Sequence, residues 1–256
     1  MENVIFMSNE GVSTISLNRP EKYNALDGQT LKELLEVIKE VKGNDDKIVI
    51  LTGEGPAFCA GGDINSMNDF AEGDNFGELM DLISELTTEL YLLPKLLITA
   101  VNGSIAGLGL SIALNSDYII AEEEAEFSML FAGIGLVPDG GGHFHLEERL
   151  GAHEAKQFIW GMEKIKGEKV LEMKLADILT KKRAVMEANK LAKELQHAPL
   201  LAMIESKLLI HHNKKAKLET YLKAEKNSQA KMFQTDDHKE GVRAFLNKER
   251  PIFKSK

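Results

Sequence analysis

The stretch Ala57-Phe58-Cys59-Ala60-Gly61-Gly62-Asp63-Ile64 follows the apolar run KIVILT at residues 47–52 and precedes a helical pattern. The same order returns when an apolar run at residues 96–101 leads into Val101-Asn102-Gly103-Ser104-Ile105-Ala106-Gly107-Leu108-Gly109, with a helix expected from Ser111. Short apolar runs that end in glycines are typical of buried strands. The chain therefore repeats strand, glycine loop and helix, which predicts an α/β fold.

The segments on either side of these two units fit the same architecture. Two strands are expected at residues 4–7 and 12–17, joined by a turn at Asn9-Glu10-Gly11. Asp27 is placed to cap a helix over residues 30–41, because aspartate is a preferred N-cap. Further strands are expected at residues 118–121, 127–129 and 176–179.

The pattern divides the chain into two parts. Residues 1–197 form the predicted α/β core, and residues 198–256 form a C-terminal helical region with no strand pattern. A chain of 256 residues can bury a sizeable core, so this length suits one domain with an appendage.

Composition and charge exclude several classes of function. The formal charge of -9 disfavours nucleic-acid binding, and no run of about 18 apolar residues is present for a membrane span. The start MENVIFMSNEG lacks a secretory pattern, so we expect a cytoplasmic protein. Cys59 is the single cysteine, and the pairs His143/His145 and His211/His212 lack the spacing of a helical zinc motif. No metal site is predicted.

The two glycine loops match none of the nucleotide-binding templates. None of their glycines opens a G-x-G-x-x-G, and no G-K-[ST] ending exists for a phosphate loop. However, small residues let a ligand approach peptide N–H groups, and at a helix start these donors have no intrahelical partner. Two such loops facing one another predict a site for a developing negative charge. The alternative is that the glycines only make tight turns.

Several ordered motifs resemble the enoyl-CoA hydratase/isomerase (crotonase) family. They are Asn18-Arg19-Pro20 with Asn24-Ala25-Leu26, the two glycine stretches, and Gly135-Leu136-Val137-Pro138. The resemblance implies a crotonase-like spiral of ββα units with a C-terminal helical trimerisation region, assembled as a homotrimer or a dimer of trimers. It also implies that the N–H groups of Gly62 and Leu108 form an oxyanion hole for a thioester.

The resemblance further implies where an acyl-CoA substrate binds. No cofactor is expected, because coenzyme A is part of that substrate. Phe245 and Lys248 resemble the tail that reaches the CoA of a neighbouring subunit, although an ordinary amphipathic helix is the alternative. The remaining positions implied in CoA and substrate binding are Lys22, Ala25, Ala60, Asp63, Ile64 and Phe131.

The chain departs from the hydratases of this family. The positions that resemble their two glutamates hold Ser111 and Phe131, and neither can act as a carboxylate acid or base. Asp139 instead matches an acidic residue of isomerase-type members. One carboxylate can remove a proton from carbon 2 and return it at carbon 4. A pocket lined by Leu130, Phe131, Ile134 and Leu136 would raise its pKa by desolvation.

Two other roles stay open for this part of the chain. Asp139 can instead be the N-cap of the next helix. His143 is a candidate to orient Asp139 or a water molecule, although a solvent-facing or packed histidine is the favoured alternative. We expect an enzyme that shifts a double bond in an enoyl-CoA. The alternatives are an enoyl-CoA hydratase or another acyl-CoA lyase or decarboxylase and, in a different class, a non-catalytic acyl-CoA-binding protein.

Overall fold

The computed structural model describes residues 2–64 and 75–256, and the chain begins with a hairpin. Strands β1 (Val4–Asn9) and β2 (Val12–Leu17) pair antiparallel. Glu10 and Gly11 make the turn with φ angles of 50° and 79°. The predicted hairpin is confirmed, with β1 two residues longer than expected.

Helix α1 (Gly28–Gly43) follows and is capped as predicted. The side chain of Asp27 accepts the N–H of Thr30 at 2.8 Å, which satisfies one of the unpaired donors at the helix start. The predicted apolar face is buried, with Leu34 and Ile38 at most 1% exposed.

Three ββα units follow the hairpin and build two sheets. In each unit the first strand enters the large sheet, of order β1-β2-β3-β5-β7-β9, and the second enters the small sheet, of order β4-β6-β8. From β2 onward all neighbours in the large sheet are parallel. The units are β3 (Ile48–Gly53), β4 (Ala57–Cys59) and α2 (Asn75–Tyr91); β5 (Leu96–Val101), β6 (Ser104–Ala106) and α3 (Gly107–Ala113); and β7 (Tyr118–Glu122), β8 (Phe127–Ser128) and α4 (Gly142–Leu150).

Both faces of the large sheet are covered, which explains the unbroken apolar run in β3. Val49 and Leu51 belong to the main core cluster, whereas Ile48 and Ile50 pack with the C-terminal helices on the other face. Side chains alternate between the faces of a strand, so a strand covered on both faces must be apolar throughout.

Helix α3 begins earlier than expected. The predicted start was Ser111, but the helix begins at Gly107, directly after β6. Glycine is a poor helix former, which is why the sequence indicated a loop there. Burial of Leu108 and Leu110 outweighs that cost in the folded chain. The strand expected at residues 176–179 lies slightly later, as β9 (Ile178–Thr180).

Apart from strand β9, the regular elements that follow α4 are helices. They are α5 (Ala152–Gly161), α6 (Glu168–Glu172), α7 (Ala184–Leu195), α8 (Leu200–Met232) and α9 (Asp236–Asn247). At 33 residues α8 is about 50 Å long, and it packs against α2 and α4 of the same chain. Across residues 2–64 and 75–256, no helix combines the length and apolarity that crossing a membrane requires.

Candidate functional site

The two glycine loops lie side by side because β4 and β6 pair in parallel, with Cys59 opposite Ile105. Their backbones are in close contact. A Cβ atom on Gly61 would lie 3.0 Å from the carbonyl oxygen of Ala106, and one on Gly109 only 2.6 Å from the Cβ of Cys59. Glycine is therefore needed here for close packing and not only for the turns.

Each loop presents an unpaired backbone donor. Around Gly62 the chain forms a bridge to Leu26, which donates to Gly61 and accepts from Asp63. These bonds leave the N–H of Gly62 without a partner in the described part of the chain. Leu108 is the second residue of α3, so its N–H has no intrahelical acceptor. The N-cap residue of this helix is Ala106, which has no polar side chain to bind the free N–H groups.

Gly62 and Leu108 line one cavity of about 50 Å³. The other walls are mainly apolar, with Phe76 and Met80 from α2 and Phe233 just beyond the end of α8. Phe76 and Phe233 meet edge to face with their ring centres 4.9 Å apart. The predicted pairing of Gly62 and Leu108 in one place is thus present, although the donor role itself stays a prediction.

Asp139 is buried in the wall of this cavity with 8% of its surface exposed. Gln229 donates to its Oδ2 at 3.1 Å, and its Oδ1 is buried without a partner among residues 2–64 and 75–256. Burial raises the pKa of Asp139 to about 7, with a further increase from the negative charge of Glu225 and an opposing effect of the Gln229 bond. An acid with a pKa near 7 can both take and return a proton at neutral pH.

The alternative that Asp139 is a helix N-cap is wrong. Helix α4 begins at Gly142 and its N-cap residue is Gly141, with no side-chain cap. Asp139 contributes only its backbone carbonyl, which accepts the N–H of Gly142 at 3.0 Å. The two intervening glycines have φ angles of 62° and 76°, which turns the chain and carries the Asp139 side chain away from the helix start.

Asp139 shares the cavity with a second carboxylate, Asp63, which lies in a different environment. Arg19 contacts Asp63 Oδ2 at 3.3 Å and Asp27 Oδ2 at 3.0 Å. Arg19 also donates to the carbonyl of Ala25 at 2.6 Å. Asp63 is therefore held as part of an ion pair, whereas Asp139 contacts an amide and, within residues 2–64 and 75–256, no cation.

Ser111 and Phe131 lie close to the glycine turns, as their positions in the sequence suggested. The Ser111 Oγ would be 2.8 Å from a Cβ on Gly142, and the Phe131 ring 3.6 Å from a Cβ on Gly107. Phe131 lines the cavity. The Phe131 ring thus lies beside the second glycine loop, and the Ser111 hydroxyl lies beside the glycines that follow Asp139.

The predicted apolar wall is only half correct. Phe131 and Leu136 line the cavity, but Leu130 and Ile134 do not. Leu130 lines a neighbouring cleft, and the Ile134 carbonyl binds the His238 ring at 2.8 Å because α9 packs on the turn Leu130–Ile134. The short 3₁₀ turn over these residues rotates alternate side chains away from the cavity.

The neighbouring cleft, of about 200 Å³, lies beside the same two loops. Ala60, Ala106 and Leu130 line it. Each of these three residues lies one or two positions before a residue that lines the first cavity. Ala60 precedes Gly62, Ala106 precedes Leu108, and Leu130 precedes Phe131. The loops therefore separate an apolar cavity from a more open cleft.

The positions implied in CoA binding are only partly brought together. Ala60 lines the cleft and Asp63 lines the cavity, but Lys22, Ala25 and Ile64 line neither. The N–H of Ala60 donates to the Tyr23 carbonyl at 2.9 Å, which leaves its carbonyl for other contacts. Binding of CoA at these residues stays a prediction.

Phe245 and Lys248 lie near the end of α9 and face solvent. Phe245 is 58% exposed, and Lys248 ends the helix in a left-handed conformation with φ 56°. Neither residue lines the cavity or the cleft of its own chain. Their reach to a neighbouring subunit stays a prediction.

The sequence did not reveal Glu225 and Gln229 of α8, and of the roles left open for His143 the structure favours the packed one. The His143 ring binds Glu225 Oε1 at 2.8 Å and has no bond to Asp139. Glu225 and Gln229 are spaced i, i+4 and continue the buried face begun by Leu218 and Leu222. Polar residues on an otherwise apolar helix face are the sequence signal that could have identified Glu225 and Gln229. In residues 2–64 and 75–256, no cluster of three or more potential metal ligands occurs.

Comparisons with known proteins find relatives along nearly the whole chain. The enoyl-CoA hydratase/isomerase family model matches residues 7–256. The Bacillus subtilis protein YhaR, whose name places it in this family, is 41% identical over 255 residues, and the match covers 100% of both chains. The 1,2-epoxyphenylacetyl-CoA isomerase of Escherichia coli is 33% identical over 265 residues, with 100% of both chains covered.

A solved structure confirms the predicted fold. An enoyl-CoA hydratase from Mycobacterium avium subsp. paratuberculosis is 26% identical and superposes with a TM-score of 0.89 over 99% of each chain. The expected crotonase-like α/β fold with a C-terminal helical region is therefore correct. The chain belongs to the enoyl-CoA hydratase/isomerase family.

Proposed function

We propose that this enzyme shifts a carbon–carbon double bond in an enoyl-CoA, with Asp139 as the proton carrier. The observation that carries this proposal is the Oδ1 of Asp139, which is buried and without a partner in the described residues. It lies in the wall of the cavity that Gly62 and Leu108 also line. A buried carboxylate oxygen that no protein group satisfies is suited to a proton on a substrate.

The mechanism follows from one carboxylate and two donors. The Asp139 carboxylate takes a proton from carbon 2 of a 3-enoyl thioester, and the electron pair moves into the carbonyl to give a dienolate. The N–H groups of Gly62 and Leu108 stabilise the negative oxygen. Protonated Asp139 then returns the proton at carbon 4, so the double bond ends between carbons 2 and 3 and the aspartate is regenerated.

The electrostatics of the cavity favour this cycle. The pKa of Asp139, raised to about 7 by burial, makes it a stronger base than an exposed aspartate. Apolar walls keep competing water away from the dienolate, and they offer a thioester oxygen few donors besides the two loop amides. Because the walls are mainly apolar, they also favour an acyl group that carries no charged substituent.

Hydration is the second candidate, because the solved structure with a TM-score of 0.89 is that of an enoyl-CoA hydratase. Adding water to a 2-enoyl thioester requires one group to activate water and another to deliver a proton. Asp63 is bound to Arg19, and Ser111 and Phe131 carry no carboxylate. Among the described residues that line the cavity, this leaves Asp139 as the single acid without a cation, which favours isomerisation over hydration, and over other lyase or decarboxylase reactions that need a second group.

The CoA part of the substrate is proposed to lie in the cleft beside Ala60, with the acyl group passing between the two loops into the cavity. Exposure of Phe245 and Lys248 fits a role towards the CoA of a neighbouring subunit in a trimer or a dimer of trimers. Lys248 would then pair with a phosphate as a point charge.

A single mass-resolved assay tests the reaction. Purified enzyme is incubated separately with a short 3-enoyl-CoA and with the matching 2-enoyl-CoA. Isomerisation leaves the mass unchanged and gives the conjugated 2-enoyl product, whereas hydration adds one water. We expect isomerisation that is lost in Asp139→Asn. Hydration without isomerisation would transfer the assignment to a hydratase, and calorimetric binding of acyl-CoA without turnover would indicate a non-catalytic binder.

A further inference from the structure

The inner face of α8 carries two polar residues one helical turn apart. Glu225 is 3% exposed and Gln229 is 1% exposed. Burying a charge or an amide is costly unless it is hydrogen-bonded, so the partners of these side chains explain why they are tolerated. All their hydrogen-bond partners lie in or just after the segment that contains Asp139.

Glu225 holds the start of α4. Its Oε2 accepts the N–H of Gly141 at 2.8 Å, and its Oε1 accepts the N–H of His143 at 3.1 Å and contacts the His143 ring at 2.8 Å. The N-cap residue of α4 is a glycine without a side chain. Glu225 therefore supplies from another helix the carboxylate that a capping aspartate would supply locally.

Gln229 holds the segment immediately before α4. Its Nε2 donates to Asp139 Oδ2 at 3.1 Å, and its Oε1 accepts the N–H of Val137 at 3.3 Å. One amide thus binds both ends of Val137-Pro138-Asp139. This arrangement occupies Oδ2 and leaves Oδ1 as the unpaired oxygen.

We propose that Gln229 and Glu225 are positioning residues for Asp139, with Gln229 selecting the carboxylate oxygen that meets the substrate and Glu225 fixing the turn that carries it. The functional part of this inference rests on the proposed role of Asp139 as proton carrier. The long C-terminal helix, expected from sequence to serve assembly, then also completes the site of its own chain.

The two residues act on the Asp139 proton in opposite directions. The Gln229 amide stabilises the charged carboxylate, and the negative charge of Glu225 disfavours it. The other ionisable groups near this segment are His143, which is bound to Glu225, and His145, whose pKa burial lowers to about 3 so that it stays neutral. Asp63 lies across the cavity with its partner Arg19.

The test replaces each residue and titrates Asp139 directly. The variants are Gln229→Met and Glu225→Gln, and matched controls on the exposed side of α8 are Asn227→Leu and Glu219→Gln. The carboxyl band of Asp139 is followed against pH by difference infrared spectroscopy and assigned by its loss in Asp139→Asn. If Gln229→Met does not fold, Gln229→Asn replaces it, because the shorter amide also withdraws the donor.

We expect opposite shifts. Loss of the Gln229 donor should raise the Asp139 midpoint by about one pH unit, since a hydrogen bond to a charged group has roughly that strength. Loss of the Glu225 charge should lower the midpoint, and both controls should leave it unchanged. A purely structural role would not shift the two midpoints in opposite directions.

Kinetics on the same variants complete the test. If a 3-enoyl-CoA is turned over, Gln229→Met should lower kcat about tenfold with KM within about twofold, because the defect lies in proton transfer and not in binding. Midpoints that stay unchanged, or that move in the same direction in both folded variants, would overturn the inference. The titration needs no substrate, so expected shifts without any isomerisation would reject the proposed function and leave the positioning role standing.

Discussion

Asp63 and Asp139 line the same cavity and are equally buried, each 8% exposed, yet their surroundings differ. Asp63 contacts the guanidinium of Arg19 at 3.3 Å and so belongs to an ion pair. Asp139 has one amide donor, one oxygen without a partner in the described chain, and a pKa raised to about 7 by burial. Burial alone therefore does not make an acid useful for proton transfer; the absence of a cation beside it matters as much.

The largest effect is expected from removing the charge of Asp139. Asp139→Asn keeps the shape but cannot accept the proton, so kcat on a 3-enoyl-CoA should fall about 10³-fold with little change in KM. Steady-state rates with the purified variant measure this. If the kcat of the variant stays within a few-fold of wild type, Asp139 does not carry the proton and does not differ from Asp63 in its role in catalysis.

The same substitution should change how stability depends on pH. The folded-state pKa of Asp139, about 7, lies above its ordinary value of 3.8, so the group favours the folded state below about pH 4 and loses that contribution as pH rises through 7. A shift of about three pH units corresponds to up to about 4 kcal/mol. Wild type should therefore lose stability relative to Asp139→Asn between pH 4 and pH 8.

Urea unfolding of both proteins across this range provides the measurement. Other titrating groups cancel in the difference between the two proteins. A difference that stays constant with pH would mean that the pKa of Asp139 is not raised in the folded protein.

A smaller loss is expected when one backbone donor is removed. Leu108→Pro deletes the N–H at the second position of α3, where proline is tolerated because that N–H makes no helical bond. The loss of one oxyanion donor should lower kcat by about 10²-fold. Leu108→Val has a similar volume and keeps the N–H, so it separates the donor from the side chain. Equal rates for the two variants would argue against the donor role of Leu108.

The smallest effect is expected at Asp63. Asp63→Asn weakens the contact with Arg19, which retains Asp27 as a partner. We expect less than about a tenfold change in kcat/KM, expressed mainly in KM, because the ion pair orders a binding wall and not the reacting proton. The acidic limb of the pH profile should stay where it is in wild type. If the acidic limb of the pH profile in Asp63→Asn shifts as it does in Asp139 variants, Asp63 would be the group that transfers the proton.

The difference between Asp63 and Asp139 also separates what the sequence can predict from what it cannot. Strands, glycine loops and the Asp27 cap could be predicted because their signals are local, and Gly62 and Leu108 occupy equivalent places in two such units. Asp139 was singled out by its resemblance to isomerase-type members. The desolvation that raises its pKa was predicted from the apolar residues around it. The Gln229 contact was not predictable, since Gln229 lies 90 residues away and meets Asp139 only after α8 packs on α4.

The error in the cavity wall and the rejected cap alternative for Asp139 have the same physical origin. Leu130 and Ile134 were expected in the cavity wall because they are apolar and near Phe131, but the 3₁₀ turn gives neighbouring side chains different directions. Asp139 was a plausible cap by residue type and distance from a helix, but the positive φ angles of the following glycines moved the helix start. In both cases local backbone geometry decided what the residue type left open.

A structure with a non-reactive acyl-CoA bound tests the central claim most directly. In that structure Asp139 Oδ1 should lie within about 3–4 Å of carbons 2 and 4, which is near hydrogen-bond reach of the proton to be moved. The thioester oxygen should lie about 2.7–3.1 Å from the nitrogens of Gly62 and Leu108. An acyl group bound with carbon 2 beyond reach of Asp139, or with its oxygen away from both loops, would contradict the account.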